Sequence, residues 1–283
     1  MSYDTEVVIA PAGEPIHLDA AKLHCGVYDT DRDALFPKWI TDAREDAESR
    51  TSRQLLHARY TLTLDEFPRD SLRIANRWVY CGIIIPHAPL VSVASVSYID
   101  GAGAPQTIAS SNYVVSTSAV PGHITPVYAY SWPTTRCQAG AVTVTYNAGY
   151  ASRFVADATA NTLTVTGPVT WAVDAPVRLS NSGGATGALP APLVTGTTYY
   201  IKTASSGVYT LSATLGGAEI DLTDTGTGTH FIGEVPAGIL DWMLLQVGTR
   251  CLNREGESVV ERGQMTAPQF VDGLLDRFRV WLP

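Results

Sequence analysis

Leu18, Ala21 and Ala20/His24 fall on neighbouring helical turns, which predicts a short helix over 18–25. A longer one follows. Thr30 and Asp31 are N-cap candidates, Asp33 stands three residues after Thr30, and Leu35, Trp39, Ile40, Ala43 and Ala47 form a stripe at 3.6 spacing. Pro37 is tolerated only within a first turn, which moves the start toward Asp33 and predicts a helix over 33–52. From Arg59 the period drops to two: Tyr60 to Leu64 alternates, Ile83-Ile84-Ile85 stops at Pro86, Val91 to Ile99 alternates again, and Asp100-Gly101 opens a turn. Tyr113-Val114-Val115 and Ala141 to Tyr146 read as further strands, so 58–150 is expected to be an antiparallel sheet or sandwich.

Beyond Ala151 the pattern stays β but changes in character. Threonine and glycine dominate in Thr162–Gly167, Thr197–Ile201, Val208–Leu211 and Asp221–Gly228, and the short strands between turn residues predict a small barrel or sandwich over 151–234. Helix returns with Pro236 in its first turn and with Ile239, Leu240, Met243, Leu244, Val247, Cys251 and Leu252 as the apolar stripe of 236–253. A last helix is expected over 270–277, before Phe278-Arg279-Val280-Trp281-Leu282-Pro283. The fold class is therefore α+β: a helical bundle of N- and C-terminal helices, an antiparallel β-region, and an inserted all-β module. Domain limits follow, with 1–150 and 235–283 as one domain and 151–234 as the insertion.

The 283 residues leave room for two such bodies. Acids outnumber bases 27 to 19, a net −8, and three of the cations are lysines (Lys22, Lys38, Lys202), which argues against a polybasic binder of nucleic acid or membranes. Charge is uneven along the chain: residues 1–66 hold thirteen acids and seven bases, a net −6, whereas 67–153 hold two and five, a net +3. Charged residues total 16%, well under the usual quarter, so much of the surface is expected to be covered. The acidic N-terminus has no basic n-region or long apolar core, and no run of about 18 apolar residues occurs, which points to a soluble, cytosolically made protein with no membrane partner.

Candidate chemistry adds little. Cys25, Cys81, Cys137 and Cys251 form no C-x-x-C pair and read as free thiols; the six histidines form no H-x-x-x-H, and no nucleophile-elbow or phosphate-loop motif opens a helix after a strand. Ser180–Gly184 and Gly226–Gly228 read as turns, and His17 with His24 lack a third metal ligand. No catalytic residue, metal or cofactor is expected. A hydrolase using Asp157, Asp221 or Asp224 is the weakest reading, since no paired-carboxylate spacing supports it.

Interaction surfaces remain. Tyr128-Ala129-Tyr130 and Trp132-Pro133 form an aromatic loop that either packs into the β-core or meets a partner. Asp42, Glu45, Asp46 and Glu48 line one helix face, with Lys38–Asp42, Arg44–Glu48 and Asp46–Arg50 at i,i+4; this is either a solvated, internally paired face or an acidic wall toward a channel or neighbouring subunit. The C-terminal segment, with Phe270, Leu274, Leu275, Phe278, Arg279, Val280, Trp281 and Leu282, either packs back on its own domain or adds to a neighbour as an extended strand.

The order of several short motifs is informative. Glu14-Pro15-Ile16-His17-Leu18-Asp19-Ala20-Ala21-Lys22, the Ala43-Arg44-Glu45 helix ending in Thr51-Ser52-Arg53-Gln54-Leu55, and Tyr60 to Asp65 are followed by Pro89 to Tyr98, Pro121-Gly122-His123-Ile124, Ser131-Trp132-Pro133 and Val142 to Tyr150. With Val235 to Ile239 and Leu274-Leu275 to Val280, this series resembles the head-to-tail connector (adaptor, or head-completion) proteins of long-tailed bacteriophages. Two departures stand out: His17 occupies a position where such proteins often carry Ser or Thr, and the Thr/Gly-rich segment intervenes before Pro236.

The resemblance implies a non-enzymatic structural protein of the virion neck, assembled in the bacterial host cytoplasm. It implies a ring, commonly of twelve neighbouring copies, seated on the portal protein and docking a downstream stopper or tail-terminator protein. Genomic DNA would pass through without sequence-specific binding, and acidic groups facing the channel would repel its phosphates. Asp42, Glu45, Asp46 and Glu48 are the candidate lining, and residues 270–283 the candidate portal-docking tail. The alternative is a tail or capsid binding module whose β-insertion contacts a host receptor or glycan.

Overall fold

The computed structural model describes residues 3–69, 72–74, 77–79, 82–252 and 269–281. The fold is mixed α+β, as the two periodicities predict, and divides into two compact units, each drawn from non-contiguous stretches of chain.

The first unit comprises Met1–Ala10, Ser52–Gly149 and Val280–Pro283. Its strands are β1 (Tyr3–Ile9), β2 (Ala58–Leu64), β3 (Leu72–Ile74), β4 (Arg77–Val79), β5 (Ile83–Ile84), β6 (Leu90–Ile99), β7 (Pro105–Thr107), β8 (Tyr113–Ser116), β9 (His123–Pro126) and β10 (Val142–Ala148). They build an antiparallel sheet in the order β1-β2-β10-β6-β7, a three-stranded sheet β5-β9-β8 and the ribbon β3-β4. Central β10 pairs Val144 with Leu62 on one side and with Val96 on the other. Alternation explains the core: Tyr60, Leu62 and Leu64 of β2 and Val142, Val144 and Tyr146 of β10 turn to one face and are buried with Phe67, Ile85 and Ile124. At the expected turn, the Asp100 carboxylate accepts from the amides of Ala102 and Ala104 and from the Gln106 side chain, closing the β6–β7 hairpin. Edge strand β1 forms in the acidic N-terminal stretch, for which the residue pattern predicts no element.

The second unit comprises Pro11–Thr51 and Tyr150–Arg279. It contains α1 (Leu18–Cys25), α2 (Phe36–Thr51), β11 (Ala151–Asp157), β12 (Thr162–Thr166), β13 (Pro176–Asn181), β14 (Thr198–Ser205), β15 (Val208–Ser212), β16 (His230–Gly233), α3 (Ala237–Leu252) and α4 (Gln269–Asp276). The six strands form a closed barrel, β11-β12-β15-β14-β13-β16 and back to β11. Phe154, Leu163, Leu179, Ile201, Tyr209, Leu211 and Ile232 fill its interior, so it is a packed core and not a cup.

Several close approaches in this unit require glycine. A Cβ on Gly187 would lie 2.5 Å from Gly183 Cα, and one on Gly228 would lie 2.6 Å from the same atom. Asn181 ties these loops together: its amide donates to Thr227 O at 2.7 Å and its carbonyl accepts from Gly183 N at 2.7 Å. The glycine-rich runs thus serve as turns, and they also brace α1. His17 N donates to Ser182 O at 3.3 Å, and a Cβ on Gly184 would lie 3.1 Å from Ala20 Cα.

Helix α1 has the expected bounds. His17 performs the capping role itself, its Nδ1 accepting from Asp19 N at 3.2 Å. Gly26 closes the other end at φ 66°, with Val27 N bonding back to Lys22 O at 3.0 Å. Helix α2 begins at Phe36, not Asp33, because Asp33 is engaged by Lys22 at 2.6 Å and the chain turns tightly until Pro37 can occupy the first turn. Its buried stripe is Phe36, Ile40, Ala43, Ala47 and Thr51, one position out of phase with the expected Leu35 at its start. In α3 the largest fully buried side chain is that of Trp242, which the predicted stripe left out, while Leu252, counted in that stripe, is exposed.

Candidate functional site

Two surfaces were singled out from sequence, the α2 face of the second unit and a C-terminal segment whose residues up to Arg279 belong to the second unit and those from Val280 on to the first, and the structure shows how each is held. The acids of α2 do not stand as a bare wall. Arg44 reaches Glu14 through Nε at 2.8 Å and Glu48 through Nη1 at 2.7 Å, with Glu45 at 3.3 Å from Nη2. Thr41 donates to the other Glu14 oxygen at 2.9 Å. Burial alone would lower the Arg44 pKa, but the carboxylates of Glu48 and Glu14 outweigh it and raise the pKa further above its ordinary value. Asp42 and Asp46 face α3, where Arg250 approaches them at 2.8 and 3.1 Å. The shorter approach, through Nη1, lacks hydrogen-bond alignment, so it is an ion pair only, whereas Nη2 donates a true hydrogen bond to Asp46. Five carboxylates are therefore bridged by two guanidiniums, and the cluster keeps a net negative charge. Glu45 is the most open at 64%, Asp42 and Asp46 are partly exposed, and Glu48 is largely covered. The Arg44–Glu48 pair was legible at i,i+4; the crossing to Arg250, 204 residues beyond Asp46, was not.

The C-terminal segment divides in the same way. Phe270 lies in α4, whose first residues have no described side chains, and Leu282 lies outside the described residues. Leu275 is buried, Leu274 and Phe278 are half-buried, and Arg277 sits over the Phe278 ring at 4.5 Å. Arg279 donates to Arg50 O at 3.3 Å and lies 3.8 Å from Asp276. Val280 is buried, but Trp281 is 77% exposed. Among the described residues of the segment, Leu275 and Val280 are held inward and Trp281 is a large aromatic facing out.

In the first unit the aromatic loop is mainly structural. Trp132 stacks on Phe67 with centroids 4.9 Å apart, Tyr130 meets Trp132 edge-on, and both pack against the core, while Tyr128 is fully exposed. Sequence reasoning missed the nearby ring stack, because its members lie far apart in the chain. His87 lies 3.9 Å above Tyr60 and bonds to the Tyr146 hydroxyl at 2.6 Å, while the Tyr60 hydroxyl donates to Gln54 Oε1. Burial pushes His87 down to about 4, and does the same to His57 against a hydrogen bond that its ring donates to the Gly149 backbone and that favours the charged form. Among the described residues, no three His, Cys, Asp or Glu side chains gather to hold a metal ion, and no helix is long and apolar enough to cross a membrane.

No protein-family model and no curated protein matches the chain. Solved structures do. A chain from the virion of a native gene transfer agent (GTA) particle aligns with TM-score 0.53 and 14% identity over 99% of this chain and 96% of its own. One from the neck of an empty GTA particle, computed with C6 symmetry, aligns with TM-score 0.53 and 13% identity over 100% and 97%. A third, from the neck of a native GTA particle computed with C12 symmetry, gives TM-score 0.50 and 13% identity over 99% and 97%. Coverage of that extent takes in the barrel as well as the helices and the open sheet, so the likeness is one of whole fold.

Proposed function

We propose that this chain is a structural neck protein of a tailed, phage-like particle: an adaptor that forms a ring on the portal and extends the DNA channel to the next neck or tail component. The observation that carries this reading is the end-to-end fold likeness to chains of particle necks, two of them computed with six- and twelvefold symmetry. A ring subunit covers two lateral faces and two axial ones, which suits a chain with only 16% charged residues. In this reading residues 151–234 are a module inserted between β10 and α3, supported by a barrel that closes on itself around its own core.

The C-terminal segment is the portal-docking element, with Trp281 as its anchor and Leu275 and Val280 holding it to the chain. The exposed edge of α2, at Asp42, Glu45 and Asp46, faces the channel or the neighbouring copy, with Glu48 behind it. Phosphates are repelled there, and DNA slides without being gripped. The function is structural, and it uses no cofactor or catalytic group.

The test is reconstitution: the purified chain is mixed with the portal of its own particle and imaged by electron microscopy. Closed rings stacked on the portal are expected, and portal rings that stay bare at saturating concentrations would sink the reading. Trp281→Ala is expected to weaken portal binding by about tenfold or more, as loss of an interface anchor does. Full affinity in that variant would remove the docking role of Trp281.

A further inference from the structure

Both ring nitrogens of His230, the first residue of β16, are engaged. Nε2 lies 3.0 Å from Thr225 O, which can only accept, so Nε2 carries the proton and Nδ1 is left as an acceptor. The Asn181 amide fills that place, its Nδ2 donating to Nδ1 at 2.9 Å. With its bonds to Thr227 O and from Gly183 N, this one side chain ties the 182–187 loop, the 224–229 loop and the ring into a single network. The ring is 6% exposed, stacks on Phe154 at 5.3 Å, and lies against Gly226, where a Cβ would stand 2.8 Å from its Cε1. Backbone bonds join the same loops: Ala188 N donates to Thr227 O at 3.1 Å, Thr227 N to Ala188 O at 2.9 Å and Ser182 N to Thr229 O at 3.0 Å. The first loop in turn holds the start of α1, through the bond from His17 N to Ser182 O and the approach of Gly184 to Ala20.

We propose that Asn181 and His230 form a proton-sensitive clasp, and that a proton on the His230 ring releases the two glycine loops from each other and from α1. A protonated ring presents an N–H at Nδ1, opposite the N–H of the Asn181 amide, so two donors meet with no acceptor between them. Turning the amide over does not repair this. Its carbonyl would then oppose Thr227 O and its NH2 would oppose Gly183 N–H, so relief requires the loops to part. Burial keeps the closed ring below its ordinary 6.5, against the bond to the Thr225 carbonyl, which favours the charged form. Arg153 of β11, the strand paired with β16, also opposes the proton. Asp224 favours it, and its carboxylate is held in the loop by the amides of Ala191 and Gly226 at 2.9 and 2.8 Å. In opened loops the ring regains its ordinary value, so the clasp holds fully above pH 6.5 and weakens as pH falls below it.

The test is amide hydrogen exchange of the full chain from about pH 7 to about pH 5, corrected for the intrinsic rate at each pH. The amides of His17, Ser182, Gly183, Ala188 and Thr227 are expected to lose about tenfold or more of their protection at the acid end, while the β11–β12 ladder of the same unit keeps its own. Equal protection of the loops at both ends of the range would overturn the proposal. So would loops and ladder opening together, which is unfolding of the unit and not release of a clasp. His230→Phe keeps a ring on Phe154 but makes neither bond, and its loops should exchange fast at every pH in the range; loops that stay protected in that variant would show that the clasp does not hold them. If the variant misfolds, long-range proton–nitrogen NMR spectra of the unaltered ring decide. The Nε2–H tautomer is expected at neutral pH, with proton uptake at the midpoint of loop opening; an Nδ1–H tautomer, or a midpoint more than about one pH unit away, sinks the idea.

Discussion

Arg44 shows how much one side chain can organise. Its guanidinium is largely covered and bridges Glu14, from the segment before α1, to Glu48, one turn along its own helix. Removing it leaves two partly buried carboxylates without their cation, the costly way to break an ion pair. Arg44→Met is expected to lower unfolding stability by about 2–4 kcal/mol in a urea titration, and a loss under about 0.5 kcal/mol would show the pair to be solvent-screened. The buried histidines act in the other direction on the pH axis. His57 and His87 stay neutral in the fold, with pKa values near 4 against an ordinary 6.5, so between those values the unfolded chain binds protons that the folded chain refuses. Stability is therefore complete above pH 6.5 and falls as pH drops toward 4, by roughly 3 kcal/mol for each ring. Urea midpoints at pH 7 and 4.5 check this, and His87→Phe, which keeps a ring on Tyr60 but cannot be protonated, should remove its share of the difference, the rest staying with His57 and with His230, whose pKa burial also lowers.

At the scale of elements, legibility followed the strength of the local period. Strands β2 and β10 could be read because buried residues alternate with half-buried ones along most of each, so their alternation is written in the residue order. Edge strand β1 could not, since Val7, Val8 and Ile9 are exposed and its register is set by β2 and not by a buried face of its own. Trp242 was missed for a related reason: the helix offers more apolar residues than it buries, and only packing selects Trp242 over Leu252. The acids of α2 were visible as a set, but their partner Arg250 lies on another helix, and spacing carries no information about that. The glycine loops read correctly as turns, without any sign that they touch one another. Gly187→Ala tests that contact without backbone strain, since its φ of −71° suits any residue. A destabilisation of about 2–3 kcal/mol is expected from the clash with Gly183, measured as a drop in the barrel's thermal transition; an unchanged transition would mean that the loops separate freely.

For the whole molecule, two periodicities gave the class of fold and the position of the all-β stretch, and the matched particle chains share that layout from end to end. Order along the chain could not give the grouping, in which the helices and the barrel belong to one compact unit while β1 joins the open sheet of the other. The barrel's self-contained core makes a further prediction. Residues 150–234 expressed alone should fold cooperatively, with dispersed amide NMR signals and a single melting transition, because the six strands need no outside partner to close. A disordered spectrum would show that α1 and the glycine loops are required. Closure has a last consequence, for crowding. An open sheet presents an edge on which other chains can template, and here the edge strand β1 carries Asp4 and Glu6 among its exposed residues. A closed barrel offers no such edge. Many copies can be packed side by side without seeding cross-β polymers, and whatever the barrel meets must be recognised through side chains and loops.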